Sequence, residues 1–171
     1  GVELEGVFYL RTIDEVEAIR ARFRPGARLV VVGGGYIGLE IAATCVKLGL
    51  EVTVLEMMER VMNRVVAPEV SAFFAAEHLA QGVKLHCGTA VAAFEGDGAI
   101  REVVCSDGRR FAADVVVIGV GIVPVTDIAA AADAVRTYRE PMRFVAQPLH
   151  EIEHGIAGLE LERFPPRHEE R

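Results

Sequence analysis

Apolar and polar positions along the 171-residue chain fall into short blocks, and most blocks predict an element. Residues 1–25 read as a lead-in. Within them Thr12 and Glu15 stand at capping-box spacing, opening a short helix through Val16, Ile19 and Phe23 that Pro25-Gly26 stops. Ala27–Val32 is an apolar, β-branched run with polar punctuation on both sides, which predicts a buried strand. Gly33–Gly35 follows at once, then a helix from about Tyr36 to Leu48 that ends at Gly49. Glu51–Leu55 predicts a second strand. Pro68 opens a helix through Val70, Phe73, Phe74 and Leu79 that ends at Gly82, and Val83–His86 predicts a third strand. Thr89–Glu95, Ala99–Ser106 and Arg109–Phe111 are short alternating segments. They are joined by Gly96-Asp97-Gly98 and Asp107-Gly108, both hairpin signals. Asp114–Ile118 predicts a last buried strand, followed by Gly119-Val120-Gly121-Ile122-Val123-Pro124. This order predicts an α/β, Rossmann-like dinucleotide-binding domain: a parallel sheet with helices, plus a three-stranded antiparallel meander insert. The expected division is a lead-in at 1–25, a dinucleotide-binding domain at 26–131 and a divergent tail at 132–171.

The glycine spacing Gly33-x-Gly35-x-x-Gly38 carries the chemistry because it follows a strand and opens a helix. Gly33 suits the tight turn, Gly35 lets a pyrophosphate approach the backbone, and Gly38 lets the helix pack closely on the strands. The residues between them, Gly34, Tyr36 and Ile37, are expected to line the same cofactor site. Free N–H groups and the positive dipole end of the helix would face the phosphates. Glu56 stands 18 residues beyond Gly38, at the end of the second predicted strand, where a carboxylate can accept hydrogen bonds from a ribose diol. A 2′-phosphate would meet like charge there, so NAD(H) is expected over NADP(H). Arg60 and Arg64 oppose that expectation, since either could reach a phosphate. The competing reading is a plain glycine turn with a solvated acid at a strand end.

Composition narrows the picture further. With 51% hydrophobic and 25% charged residues the chain can bury a real core, which excludes disorder. A net charge of −7 leaves no electrostatic footprint for nucleic acid. No apolar run approaches the length of a membrane span, and no secretory signal is found. Three scattered cysteines fit a reducing cytoplasm rather than a disulfide scaffold. Because the first residue is Gly1 rather than Met, a longer parent protein is expected.

With GGGYIGLE at Gly33–Glu40, Glu56 and the later GVGIVP, the chain resembles the NAD-binding domain of the FAD-dependent pyridine nucleotide-disulfide oxidoreductases. It resembles in particular the ferredoxin and rubredoxin reductases of oxygenase systems. The similarity runs from about Gly6 to about Ala131. It implies that NADH binds across Gly33–Gly38 and reduces FAD, which passes electrons singly to a ferredoxin- or rubredoxin-type partner. It also implies that Glu40 lies near nicotinamide and flavin, with the alternative of a helix acid near the dipole end. Gly119, Val120, Gly121 and Pro124 match the loop that closes on the nicotinamide half. Val125 stands where relatives carry Asn, and neither flavin-binding glycine motif of the family is found. The flavin domain is therefore expected outside this chain, with the tail read as a truncated or frame-shifted remnant of it. An alternative is a stand-alone NAD-binding or redox-sensing module.

A more distant alternative is a zinc hydrolase, because His150-Glu151-Ile152-Glu153-His154 fits H-E-x-x-H. Pro148 before it and Gly155 and Gly158 after it argue against the long helix such a site needs, and no metal is expected. Cys45, Cys87, Cys105, His78 and His86 read as ordinary structural residues.

Overall fold

A computed structural model describes residues 1–121. Five strands form a parallel sheet: β1 (Val7–Tyr9), β2 (Arg28–Val32), β3 (Glu51–Leu55), β4 (Lys84–His86) and β8 (Val115–Ile118), in the order β1-β8-β2-β3-β4. Three more, β5 (Val91–Asp97), β6 (Ala99–Cys105) and β7 (Arg110–Ala112), form the antiparallel meander. The helices are α1 (Ile13–Arg20), α2 (Tyr36–Lys47) and α3 (Pro68–Ala80).

The central strands are buried on both faces, which explains why they read as continuous apolar runs rather than alternating ones. Leu29 and Val31 of β2, Val52 and Val54 of β3, and Val115 and Val117 of β8 pack against Ala42 and Cys45 of α2 and Ile19 of α1. On the opposite face Val30, Val32, Val116 and Ile118 meet Ile100, Val103 and Cys105 of the meander. The unit is thus helices, parallel sheet and antiparallel sheet in three layers.

Most predicted elements appear within one or two residues of their expected ends. The parallel strand β1 does not appear in the sequence pattern. Residues 1–25, expected as a lead-in, thread β1 into the sheet edge, with Val7, Phe8 and Tyr9 paired to Val116, Val117 and Ile118. Its physical cause is long-range: three residues with no alternation gain strand geometry only from the partner they pair with. The capping box is present, with the Thr12 hydroxyl accepting from the Glu15 N–H and the Glu15 carboxylate accepting from the Thr12 N–H.

Two consequences of topology position the site. The register aligns Val32 with Leu55 on one side and with Ile118 on the other, so Gly33, Glu56 and Gly119 all follow strand ends at one edge. The chain also reverses its winding direction at β2, since β3 and β4 lie on one side and β8 on the other. Such a switch point opens a crevice beyond the carboxyl ends of the strands.

Candidate functional site

That crevice is a cleft of about 650 Å³ lined by Gly33, Gly35, Tyr36 and Ile37, by Glu56 through Met58, by Met62 through Val65, by Thr89 through Val91, and by Gly119 through Gly121. The glycine loop, the acid and the second glycine pair, separated in sequence, therefore share one cavity.

Each glycine of the loop has its own reason. Gly33 adopts φ +107°, and a Cβ on it would stand 2.4 Å from the Gly119 carbonyl oxygen. A Cβ on Gly38 would stand 2.0 Å from the Gly33 carbonyl oxygen. These two are fixed by close packing of backbone on backbone. Gly35 is different: it caps α2 at φ −82°, and nothing lies within 4 Å of where its Cβ would be. The folded chain alone makes no demand for glycine there, whereas a ligand group seated against the backbone would. No side chain caps α2 and its first turn holds no acid, so the dipole end stays open to an anion.

Glu56 is half-buried, and its carboxylate bridges two loops. Oε2 accepts from the Gly34 N–H at 2.6 Å, and Oε1 accepts from the Met58 N–H at 2.7 Å. Each oxygen keeps a further lone pair that a ribose hydroxyl could use. The loop after Glu56 is tied to the glycine turn as well, since the Met62 N–H donates to the Gly34 carbonyl at 2.8 Å. Met62 holds φ +49°, the one positive φ outside glycine among the described residues.

The structure separates the two arginines. Arg60 donates to the carbonyls of Val66 at 2.9 Å and Asn63 at 3.0 Å, bracing its own loop, and does not line the cleft. Arg64 is exposed and does line it. Glu40 is exposed on α2 and is not among the lining residues. Pro124 and the His150–His154 motif lie outside the described residues.

The thiols offer no redox pair. Cys45, Cys87 and Cys105 are unbridged. Burial pushes the Cys45 thiol up to about 11, and burial also raises Cys87 and Cys105. None is a ready nucleophile near neutral pH. Among the described residues no group of His, Cys, Asp and Glu is placed to hold a metal ion, and no helix is long and apolar enough to cross a membrane.

Thr89 also lines the cleft, brought there by loop geometry that no periodic pattern reports, and Met62 borders it while packing in the cluster of Leu39 and Val61.

Comparison with known proteins places this architecture. The family model described as pyridine nucleotide-disulphide oxidoreductase matches residues 1–142. Putidaredoxin reductase from Pseudomonas putida is 46% identical over 127 residues, which cover 72% of this chain and 30% of the relative. The ferredoxin–NAD(+) reductase component of the biphenyl dioxygenase system of Paraburkholderia xenovorans is 41% identical over 132 residues, 77% of this chain and 32% of the relative. The crystal structure of a covalent putidaredoxin reductase–putidaredoxin complex superposes with a TM-score of 0.73 at 43% identity, covering 77% of this chain and 32% of that one. The chain thus spans about a third of the length of these relatives. A doubly buried parallel sheet, a glycine turn at its switch point and a sequence match over most of the length make this chain a member of the pyridine nucleotide-disulphide oxidoreductase family.

Proposed function

We propose that the cleft binds NADH and that residues 26–131 are the NADH-binding domain of a flavin-dependent reductase. The observation that carries this reading is the open cradle at Gly35. A glycine without a packing reason stands at an uncapped helix N-terminus, in a cleft whose far wall holds a half-buried carboxylate. In this reading the pyrophosphate lies against Gly35 and the first turn of α2, where N–H groups neutralise its charge. Gly34, expected to line the cleft, is buried with its N–H given to Glu56 and positions the acid instead. Glu56 accepts from the adenosine ribose diol, held in place by Gly34 and Met58 before the ligand arrives. Tyr36, Ile37, Gly119, Val120 and Gly121 flank the path towards the nicotinamide, with Pro124 and Glu40 assigned to that end by resemblance alone. FAD, held by residues outside those described, would accept hydride from NADH and release electrons one at a time to a ferredoxin- or rubredoxin-type acceptor. The three unpaired thiols fit a cytoplasmic setting.

The NADH preference follows from charge. Glu56 opposes a 2′-phosphate, and Arg60, spent on carbonyls, does not offset it, which leaves Arg64 on the cleft wall as the one of the two arginines that acts against the preference. Fluorescence titration of the chain should show NADH binding about tenfold or more tighter than NADPH. Glu56→Ala should weaken NADH by about tenfold while leaving NADPH unchanged or improved. NADPH binding as tight as NADH would overturn the assignment of Glu56. Flavin absorbance in the purified chain would place the flavin site within it, whereas NADH binding without flavin would support a binding module.

A further inference from the structure

We propose that Arg109 is a positioning residue for the cofactor, and that the meander exists in part to hold Glu56 in register with the glycine loop. This rests on reading the cleft as the NADH site.

The turn formed by His86 to Thr89 embraces the Glu56 backbone. The Glu56 N–H donates to the His86 carbonyl at 2.9 Å, the Thr89 N–H donates to the Glu56 carbonyl at 2.8 Å, and the Gly88 N–H donates to the Met58 carbonyl at 2.8 Å. The position of the acid is therefore the position of this turn. The turn in turn is braced from the antiparallel sheet at two points. Arg109, immediately before β7, donates from Nη2 to the Thr89 hydroxyl at 2.6 Å, and that hydroxyl donates to the Cys87 carbonyl at 3.1 Å. Phe111 of β7 packs against the His86 ring at a tilt of 55°, with centroids 4.9 Å apart.

Thr89 is only 1% exposed, so with Arg109 in place its hydroxyl is shielded from solvent and committed to this contact. Arg109 is itself aimed by Asp107, which accepts from Nε at 2.7 Å. Asp107, Arg109, Thr89, Glu56 and Gly34 thus form one continuous line of polar contacts from a hairpin turn to the glycine loop. A binding carboxylate must be held to within about half an ångström to act on its ligand, and here the supporting shell comes from the insert.

A plain electrostatic role for Arg109 predicts something different. Loss of a cation would weaken the more highly charged NADPH more than NADH and so widen the preference. A positioning role does the reverse, because only NADH uses the Glu56 carboxylate productively.

The test is a cycle of Arg109→Gln and Glu56→Gln in the full chain, read by NADH and NADPH titration, with Thr89→Val as a second probe of the same contact. Arg109→Gln should weaken NADH about three- to tenfold and narrow the NADH-to-NADPH ratio. In the Glu56→Gln background the same substitution should change NADH affinity by less than about twofold. Thr89→Val should reproduce the narrowing. Equal losses for both cofactors, a widened ratio, or an Arg109 effect that persists without the Glu56 carboxylate would each overturn the positioning role while NADH binding by the native chain upholds the site. Failure of the native chain to bind either cofactor would overturn the reading of the cleft, and the positioning role with it.

Discussion

A methyl group on Gly38 would sit 2.0 Å from the carbonyl oxygen of Gly33, in the turn that leaves β2, and 3.3 Å from the side chain of Val31 within β2. A methyl group on Gly35 would meet only the cleft. The two substitutions therefore separate folding from binding. Gly38→Ala should lower the unfolding free energy by about 3 kcal/mol or more, because backbone must move to admit the new atom. Gly35→Ala should cost less than about 1 kcal/mol, the usual loss at an N-cap, yet weaken NADH by about tenfold or more through its approach to the phosphates. Urea unfolding beside NADH titration reads both effects. A Gly35→Ala chain that binds NADH normally would remove the cradle from the account. The different roles of these glycines are legible in the sequence, since a strand before them and a helix after them dictate which one turns, which one is approached and which one packs. The fate of Arg60 is not legible there. Its guanidinium turns back on the carbonyls of Asn63 and Val66, a choice made by the local path of the loop rather than by its spacing from Glu56.

At the scale of elements, α2 carries the glycine loop, and α3 holds it against the sheet. His78 of α3 is 9% exposed, with Nδ1 2.7 Å from the Phe74 carbonyl oxygen and Nε2 3.0 Å from the Leu39 carbonyl oxygen of α2. Both partners are carbonyl acceptors, so with a proton on Nε2 the ring donates to Leu39 and joins two helices that also meet in the small cluster of Leu39, Val61 and Met62 with Phe74. His78→Leu should destabilise the fold by about 1–3 kcal/mol, seen as a lower urea midpoint with an unchanged slope. A variant as stable as the native chain would mean that the apolar cluster alone fixes the helix pair. In the sequence His78 is a lone histidine with no partner spacing, because its partners are backbone carbonyls that any residue could supply. The capping box of α1 shows the opposite case: Thr12 and Glu15 carry their own partners three residues apart, and the structure forms both bonds. Elements with local causes are readable from the chain. Strand β1 and the α2–α3 contact have causes distant in sequence, and only the assembled sheet displays them.

Over the whole unit, the parallel sheet separates two functions at its two ends. The carboxyl ends of the strands open into the cleft, while the amino ends of β2 and β8 are clasped by charge. Asp114, 24% exposed, takes both arms of Arg28, with Nε at 3.0 Å and Nη2 at 2.8 Å, accepts from the Arg28 N–H at 2.9 Å, and has Arg24 at 3.8 Å. The Arg28 guanidinium and N–H, with Arg24 behind them, hold its carboxyl down to about 2 from an ordinary 3.8, against the opposing effect of burial. A carboxyl whose folded pKa lies below its unfolded value stabilises the fold fully above the unfolded pKa and loses that contribution as pH falls towards the folded one. The window is therefore between about pH 4 and pH 2. Since Arg28 is itself half exposed to solvent, the contribution is about 1–2 kcal/mol rather than the full value of the shift. Urea midpoints measured across that window should fall for the native chain more steeply than for Asp114→Asn, and the two should converge at the acid end. Five-residue strands set this clasp about 15 Å from the glycine turn, and a close-packed sheet lies between them. At neutral pH Asp114→Asn should therefore leave the NADH dissociation constant within about twofold of native, because no contact of the clasp reaches the cleft. A marked loss of NADH affinity in that variant would mean that strain at the amino ends of β2 and β8 is transmitted along the strands to Gly33 and Gly119, and that the two ends of the sheet are mechanically coupled.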